Sequence, residues 1–224
     1  MRSLMLPSFS KRLCYRILVL TLALATLALA TPGLVGRAEA KAATPAETFV
    51  SENIQRSLQI LNDKGLSPAQ RSGQFQEFLL SVTDLKRIAL FTLGPYQRTT
   101  SQADREAFTA SFQNYAIAVY QSYFAKYAGQ TLKIVSSNEH APGDFIVSTV
   151  MVDPNDHSGQ QPLGIEFRVR TDSGNPVLID FSVAGIWLAL EERDQFTAFL
   201  SRNDGSIPTL IGHLNELRQN FVRR

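Results

Sequence analysis

The side chains that could carry out chemistry are few and widely spaced. His140 and His157 lie in expected turns and His213 on an expected helix, without the spacing of metal ligands. The sequence has no nucleophile elbow, phosphate-binding loop, dinucleotide fingerprint or zinc-protease motif. We therefore predict no catalytic residue, no metal and no cofactor. A small exported enzyme that uses Asp180 or His140 as its base remains an alternative, as does a non-catalytic partner of an envelope complex.

Asp180 is the one acidic residue in an otherwise apolar predicted strand. Strict alternation along that strand points its carboxylate away from the apolar face. Because an unpaired carboxylate on a half-buried strand is costly, we expect Asp180 to pair with Arg168, Arg170 or Arg193 in a structural role.

The first forty residues have the features of a secretory signal peptide. Basic residues precede a run of 14 apolar residues (17–30), and Ala38-Glu39-Ala40 matches an A-x-A cleavage site. The run is shorter than the ~20 residues of a spanning helix, although an uncleaved anchor remains the alternative. We expect a signal peptide at 1–40 and one exported domain at 41–224. The only cysteine, Cys14, would leave with the leader.

Removing the leader changes the charge balance. Five of the 22 basic residues and one of the 20 acidic residues lie in it, so the remaining 184 residues carry a net charge of −2. A nucleic-acid-binding surface needs a clustered basic patch, and this balance argues against one. With no cysteine left, stability must come from apolar burial.

Periodicity predicts helices first and strands afterwards. Thr44-Pro45-Ala46-Glu47 and Ser67-Pro68-Ala69-Gln70 are helix-start signatures, and Asp84 caps a short third helix. The longest helix is expected from Ser101 to Ala128. Strands follow from Leu132, over 145–152, over 165–170 and over 177–184, and two helices, 186–202 and 206–223, end the chain.

This order predicts an α+β fold with a four-stranded, twisted antiparallel sheet. One face of the sheet is apolar and is covered by helices. The N-terminal helices and the two C-terminal helices would enclose an elongated apolar pocket between sheet and helices. The alternating strands are expected to place Val177, Ile179, Phe181 and Val183 on one face.

The candidate pocket residues are apolar positions of the sheet and the covering helices. Those on the longest predicted helix belong to a wide face rich in aromatic residues, and an ordinary hydrophobic core would also show such a face. The candidates are Phe91, Phe108, Phe112, Tyr115, Val119, Ile165, Phe167, Val169, Phe181, Val183 and Trp187.

Two segments carry a resemblance to a known family. Residues 93–108 (LGPYQRTTSQADREAF) are followed by Phe112 and Tyr120, and Ile179-Asp180-Phe181 is followed by residues 185–188 (GIWL), Arg193 and Phe196. In this order the motifs resemble the MlaC family, the periplasmic phospholipid-binding or toluene-tolerance auxiliary proteins of Gram-negative bacteria. The resemblance extends over nearly all of residues 44–222.

The resemblance implies a periplasmic carrier with a role in outer-membrane lipid asymmetry. Its implied partners are a phospholipid or other membrane lipid, an outer-membrane lipoprotein–porin complex, and an inner-membrane ABC transporter with an MCE-domain subunit. A related branch, HpnM, is associated with hopanoid biosynthesis and would handle a rigid polycyclic lipid.

The sequence departs from the family pattern at three positions. Gln97 stands where the family has Trp, Ala184 where it has an acidic residue, and Trp187 where it has a small Ser. Trp187 would add bulk near the mouth or floor of the pocket, or would instead pack on Phe196 and the last helix.

Overall fold

The computed structural model describes residues 42–124, 127, 129–157, 159, 161–172 and 174–222. Six α-helices, five strands and a short 3₁₀ segment, Gly94–Arg98, form the described part of the chain. The helices are α1 (Pro45–Asn62), α2 (Pro68–Val82), α3 (Leu85–Thr92), α4 (Gln102–Phe124), α5 (Leu188–Arg202) and α6 (Ile207–Val222). The strands are β1 (Thr131–Ala141), β2 (Asp144–Val152), β3 (Gly164–Arg170), β4 (Val177–Val183) and β5 (Ile186–Trp187).

The predicted starts of the first three helices are confirmed. The Thr44 hydroxyl accepts a hydrogen bond from the Glu47 amide at 3.1 Å, and the Glu47 carboxylate accepts one from the Thr44 amide at 2.6 Å. Ser67 and Gln70 make the same reciprocal pair at the start of α2. Asp84 caps α3 through the amide of Arg87. A cap of this kind is worth about 1 kcal/mol, because it gives a partner to an amide that the helix leaves unpaired.

The strands form one antiparallel sheet in the order β1-β2-β3-β4-β5. The α+β class and the antiparallel order are confirmed, but the sheet has five strands and not four. Ala184 and Gly185, with φ of 52° and 81°, make a tight turn that folds Ile186 and Trp187 back onto β4. The fifth helix consequently begins at Leu188, two residues later than predicted.

A bulge in β4 changes which of its side chains face the helices. Arg168 pairs with Asp180 while the next residue, Val169, pairs with Leu178, so Ile179 has no partner on β3. Leu178 and Phe181 therefore both lie on the apolar face. The expectation that Val177 shares a face with Phe181 is wrong, because it assumed unbroken alternation: Val177 pairs with Arg170, whereas Phe181 pairs with Phe167.

Apolar burial is divided between two main clusters. The first, here called the helical core, joins α3, α4, α5 and α6 around Phe108, Phe196 and Leu214. The second, here called the sheet core, packs Ala46 and Val50 of α1 onto Val147 and Val169 in the middle of the sheet. We call the boundary between these clusters the seam.

A third, smaller cluster holds α2 in place. Phe75, Phe78 and Val82 form its buried part, and Tyr120 of α4 packs against it. None of the described helices is both long enough and apolar enough to cross a membrane. The predicted signal peptide and the predicted end of α4 at Ala128 lie outside the described residues.

An ion pair with a buried carboxylate connects the start of β2 to the end of β3. The Asp144 side chain is 3% exposed, and the Arg168 guanidinium donates to both of its oxygens, at 3.0 Å from Nε to Oδ1 and 2.6 Å from Nη2 to Oδ2. These hydrogen bonds hold the pKa of Asp144 below its ordinary value of 3.8. Arg170 pairs with the exposed Asp172 next to it.

We predict that Asp144→Asn lowers the free energy of unfolding by about 1–2 kcal/mol at neutral pH, since a buried charge-assisted pair is lost while the 39%-exposed Arg168 regains water. Urea unfolding followed by circular dichroism measures the loss. Because the pKa is lowered in the folded state, the wild type keeps its advantage above pH 3.8 and loses it as the pH falls through the folded-state pKa. Asp172→Asn is the exposed control and should cost less. An equal loss in both variants would contradict the assignment.

Candidate functional site

A cavity of about 50 Å³ lies on the seam, between β4 and the helical core. Four elements and the end of α2 contribute to it: α3, α4, β4 and α5. Its lining is mostly apolar and consists of Thr83, Ile88, Phe112, Tyr115, Ala116, Val119, Tyr120, Leu178, Asp180, Phe181, Leu188, Ala189 and Glu192.

Four of the eleven candidate pocket residues line this cavity. Phe112, Tyr115 and Val119 come from α4 and Phe181 comes from β4, so the structure brings three helix candidates and one sheet candidate together. Phe108 is on the same helix but is fully buried behind the cavity, where its ring packs against Phe196 with centroids 6.2 Å apart.

The other sheet candidates lie beside the cavity or away from it. Val169 is fully buried in the sheet core, and Phe167 stacks on Phe181 at 6.5 Å. Ile165 and Val183 are partly buried and face each other across β3 and β4.

Phe91 and Trp187 are also absent from the cavity lining. Phe91 is 42% exposed, and the Arg193 guanidinium lies over its ring at 5.1 Å. Trp187 pairs with Ser182 through β5 and is partly buried. Contact of either residue with a lipid stays a prediction.

The cavity is smaller than the elongated pocket expected from the sequence. Pockets for drug-sized ligands occupy about 300–1,000 Å³. Aromatic packing fills the seam instead, because the Tyr120 ring lies on the Phe181 ring with centroids 5.6 Å apart.

Asp180 lines this cavity, so the expectation that its carboxylate points away from the apolar face is wrong. Among the described residues it forms no ion pair with Arg168, Arg170 or Arg193, but its role is structural, as expected. Its Oδ1 accepts hydrogen bonds from the amides of Phe181 at 2.8 Å and Ala189 at 2.9 Å, so it caps the start of α5. Arg168 stands opposite Asp180 but donates to Asp144, and Arg193 lies over Phe91. Because β5 pairs only with Ser182 and Val183, the β4 edge at Asp180 is free to receive the first turn of α5.

Glu192 and Tyr120 are site residues that the sequence reasoning missed. The Tyr115 hydroxyl donates to Glu192 Oε1 at 2.8 Å, whereas Glu192 Oε2 is buried and has no hydrogen-bond partner among the described residues. A signal was available in the sequence. Glu192 lies four residues after Leu188 and four before Phe196, so it is a charged residue in the apolar stripe of a helix.

Burial affects the acidity of these groups. It raises the pKa of Asp180 and of Glu192 above their ordinary values. Burial also raises the pKa of the Tyr120 hydroxyl, and the nearby carboxylates of Asp180 and Glu192 raise it further. The three oxygen-bearing side chains therefore share one region of low polarity.

The histidines do not assemble into a reactive site. His140 is exposed on β1, His157 is exposed in the following loop, and His213 stacks on Phe199 with ring centroids 4.6 Å apart. In the part of the chain that the structure describes, no three His, Cys, Asp or Glu side chains come together as metal ligands.

Comparison with known proteins supplies a family and a fold. Residues 51–216 match the family described as "MlaC protein". A solved structure from Ralstonia solanacearum, described as a phospholipid-binding protein in complex with a phospholipid, has the same fold, with a TM-score of 0.67 and 18% identity. The match covers 79% of this chain and 98% of the other.

We predict that Asp180→Ala lowers the free energy of unfolding by about 1–2 kcal/mol, since the Ala189 amide loses its cap. Asp180→Asn keeps an oxygen acceptor at the same place and should cost less. Chemical denaturation of the two variants compares the losses. Equal losses would mean that the charge, and not the cap, stabilises the junction of β4 and α5.

We also predict a pH effect from Glu192. Since burial raises its pKa in the folded state, the folded protein retains the proton more tightly than the unfolded chain. The free energy of unfolding should therefore fall as the pH rises above the ordinary value of 4.5 and through the raised pKa. Glu192→Gln should remove this part of the pH dependence above pH 4.5. An unchanged profile in the variant would contradict the assignment.

Proposed function

Because the chain belongs to the MlaC family, we propose that it binds the acyl tails of a membrane lipid along the seam between sheet and helices. The observation that carries the proposal is the apolar cavity between two separate cores. A ligand that enters there contacts side chains of both cores while each core stays intact.

Several interactions hold the seam closed near the cavity. Tyr120 packs on Phe181, the Asp84 amide donates to the Leu178 carbonyl at 3.2 Å, and Asp180 caps Ala189. The ring contact between Tyr120 and Phe181 crosses the cavity. The two hydrogen bonds lie where β4 meets α3 and α5. Separation of Tyr120 from Phe181 would widen the cavity while the hydrogen-bonded junctions keep the layers together.

The free energy that a lipid tail gains on entering the seam offsets the cost of separating the side chains that fill it. Each buried CH₂ group is worth about 0.8 kcal/mol, so a tail of about 16 carbons gains about 13 kcal/mol on leaving water. Opening the seam exposes the aromatic and aliphatic side chains that now fill it, and the tail covers them again. Uptake of a lipid thus replaces protein–protein contacts with protein–lipid contacts of the same kind.

The wider function that follows is that of a periplasmic lipid carrier. The signal-peptide features of residues 1–40 support export, and family membership supports a lipid as cargo. The proposed partners are an outer-membrane lipoprotein–porin complex and an inner-membrane ABC transporter with an MCE-domain subunit. The proposed cargo is a phospholipid, with a hopanoid-type lipid as the alternative.

Native mass spectrometry of the exported protein, purified without detergent or added lipid, tests the proposal. We expect a bound species whose mass and fragments identify a phospholipid or a hopanoid. A protein that is empty after purification, and that takes up no lipid from vesicles of mixed phospholipids, would overturn lipid binding.

We predict that Ala116→Leu lowers the amount of bound lipid. Ala116 lines the cavity and is 7% exposed, so the larger side chain occupies space that a tail needs. Displacing two CH₂ groups of the ligand corresponds to about a tenfold loss of affinity. Ala110→Leu changes an exposed position of the same helix and should bind as the wild type does. Equal binding by both variants would place the lipid elsewhere.

A further inference from the structure

Helix α3 has two sides of different composition. Its inner side is buried and consists of Leu85, Ile88, Ala89 and Thr92. Its outer side carries two cations and two large apolar side chains, which are Lys86, Arg87, Leu90 and Phe91. Phe91 is 42% exposed, although phenylalanine is among the residues that proteins most often bury. The helix thus presents basic and apolar side chains together on its solvent side.

Helix α5 extends this surface. The Arg193 guanidinium lies over the Phe91 ring, 5.1 Å from its centroid. Leu190 precedes Arg193 by three residues, so it lies on the same side of α5, and it is 45% exposed. We call the outer residues of α3 (Lys86, Arg87, Leu90 and Phe91), together with Leu190 and Arg193 of α5, the α3–α5 face.

The three cations of the α3–α5 face have no ion-pair partners. Among the described residues, none of Lys86, Arg87 and Arg193 forms an ion pair. Arg87 attracts the exposed carboxylate of Asp172, but that carboxylate pairs with Arg170. The positive charge of this face is therefore available to a partner.

Acidic side chains are scarce around the face. Between Asp84 and Asp104 the chain has no acidic residue. The exposed acids of α5 lie toward a separate groove between α5 and α6, because Asp194 lines that groove and Glu191 accepts a hydrogen bond from Gln195, which also lines it. The α3–α5 face is thus positive in a chain whose residues 41–224 carry a net charge of −2. An anionic surface is the partner that complements it.

The same two helices carry the α3–α5 face and part of the cavity lining. Ile88 follows Arg87 and lines the cavity, and Ala189 precedes Leu190 and also lines it. A helix with its side chains is about 10 Å across. A surface that meets the α3–α5 face therefore lies about one helix diameter from the cavity.

We propose that the α3–α5 face docks on a bilayer surface that contains anionic phospholipid headgroups. The lysine and arginine side chains extend their charged ends to the lipid phosphates. Phe91 and Leu190 enter the boundary between headgroups and tails, as the apolar side chains of interfacial helices do. The inference goes beyond the binding of cargo, since it names the surface by which the protein meets a membrane.

Co-sedimentation with vesicles tests docking separately from cargo. The protein is mixed with vesicles of phosphatidylcholine alone, or of equal parts of phosphatidylcholine and phosphatidylglycerol, and the bound fraction is measured as the vesicle concentration rises. We expect the affinity for the anionic vesicles to be about a hundredfold higher, since each of the three cations contributes about fivefold, and to fall with added salt. Equal affinity for both compositions, or no binding to the anionic vesicles, would overturn docking and leave lipid binding in the seam standing.

Two variants assign docking to the α3–α5 face. Lys86→Gln combined with Arg87→Gln removes two cations and should lower the affinity for the anionic vesicles about 25-fold. Phe91→Ala should lower it about tenfold, because the exposed part of the ring no longer enters the bilayer. Native mass spectrometry should find the wild-type amount of bound lipid in the double variant, since neither side chain lines the cavity.

Matched controls change exposed residues outside the face. Lys64→Gln combined with Lys133→Gln removes the same charge, and Val135→Ala shortens an apolar side chain that is exposed on β1. We expect both controls to bind the anionic vesicles as the wild type does. Wild-type affinity in the α3 variants, or an equal loss in the controls, would overturn the proposal.

Discussion

The apolar face of the sheet must be covered, and two different sets of helices share that task. Helix α1 packs Ala46 and Val50 onto the middle strands, while β4 meets α3, α4 and α5. Because neither set covers the whole face, their boundary runs over the sheet. The cavity and the aromatic contact between Tyr120 and Phe181 both lie on that boundary. A sheet covered by one continuous helical layer would have no such place.

Local signals in the sequence predicted the elements that depend on neighbours in the chain. The capping pairs at Thr44 and Ser67 involve residues three positions apart, so their spacing could be read directly. The antiparallel order of the first four strands followed from the short turns between them. The family resemblance, carried by the order of several weak motifs, is confirmed by the match over residues 51–216.

Features that depend on distant contacts were missed. The bulge at Ile179 arises from the pairing of β4 with β3, and no local pattern marks it. Asp180 looked like an outward strand residue because its partner, the Ala189 amide, belongs to an element that follows a turn. Glu192 interrupted an apolar helical stripe and could have been noticed, but only the fold shows that β4 lies opposite it.

The hairpin of β4 and β5 has a consequence for how the protein can be observed. Its last residue, Trp187, is the only tryptophan in the chain and directly precedes Leu188, which lines the cavity. Indole emission shifts in wavelength with the polarity of its surroundings, so the intrinsic fluorescence of this protein originates from one defined point. Movement of the first turn of α5 away from the sheet is therefore open to optical measurement on the unlabelled chain.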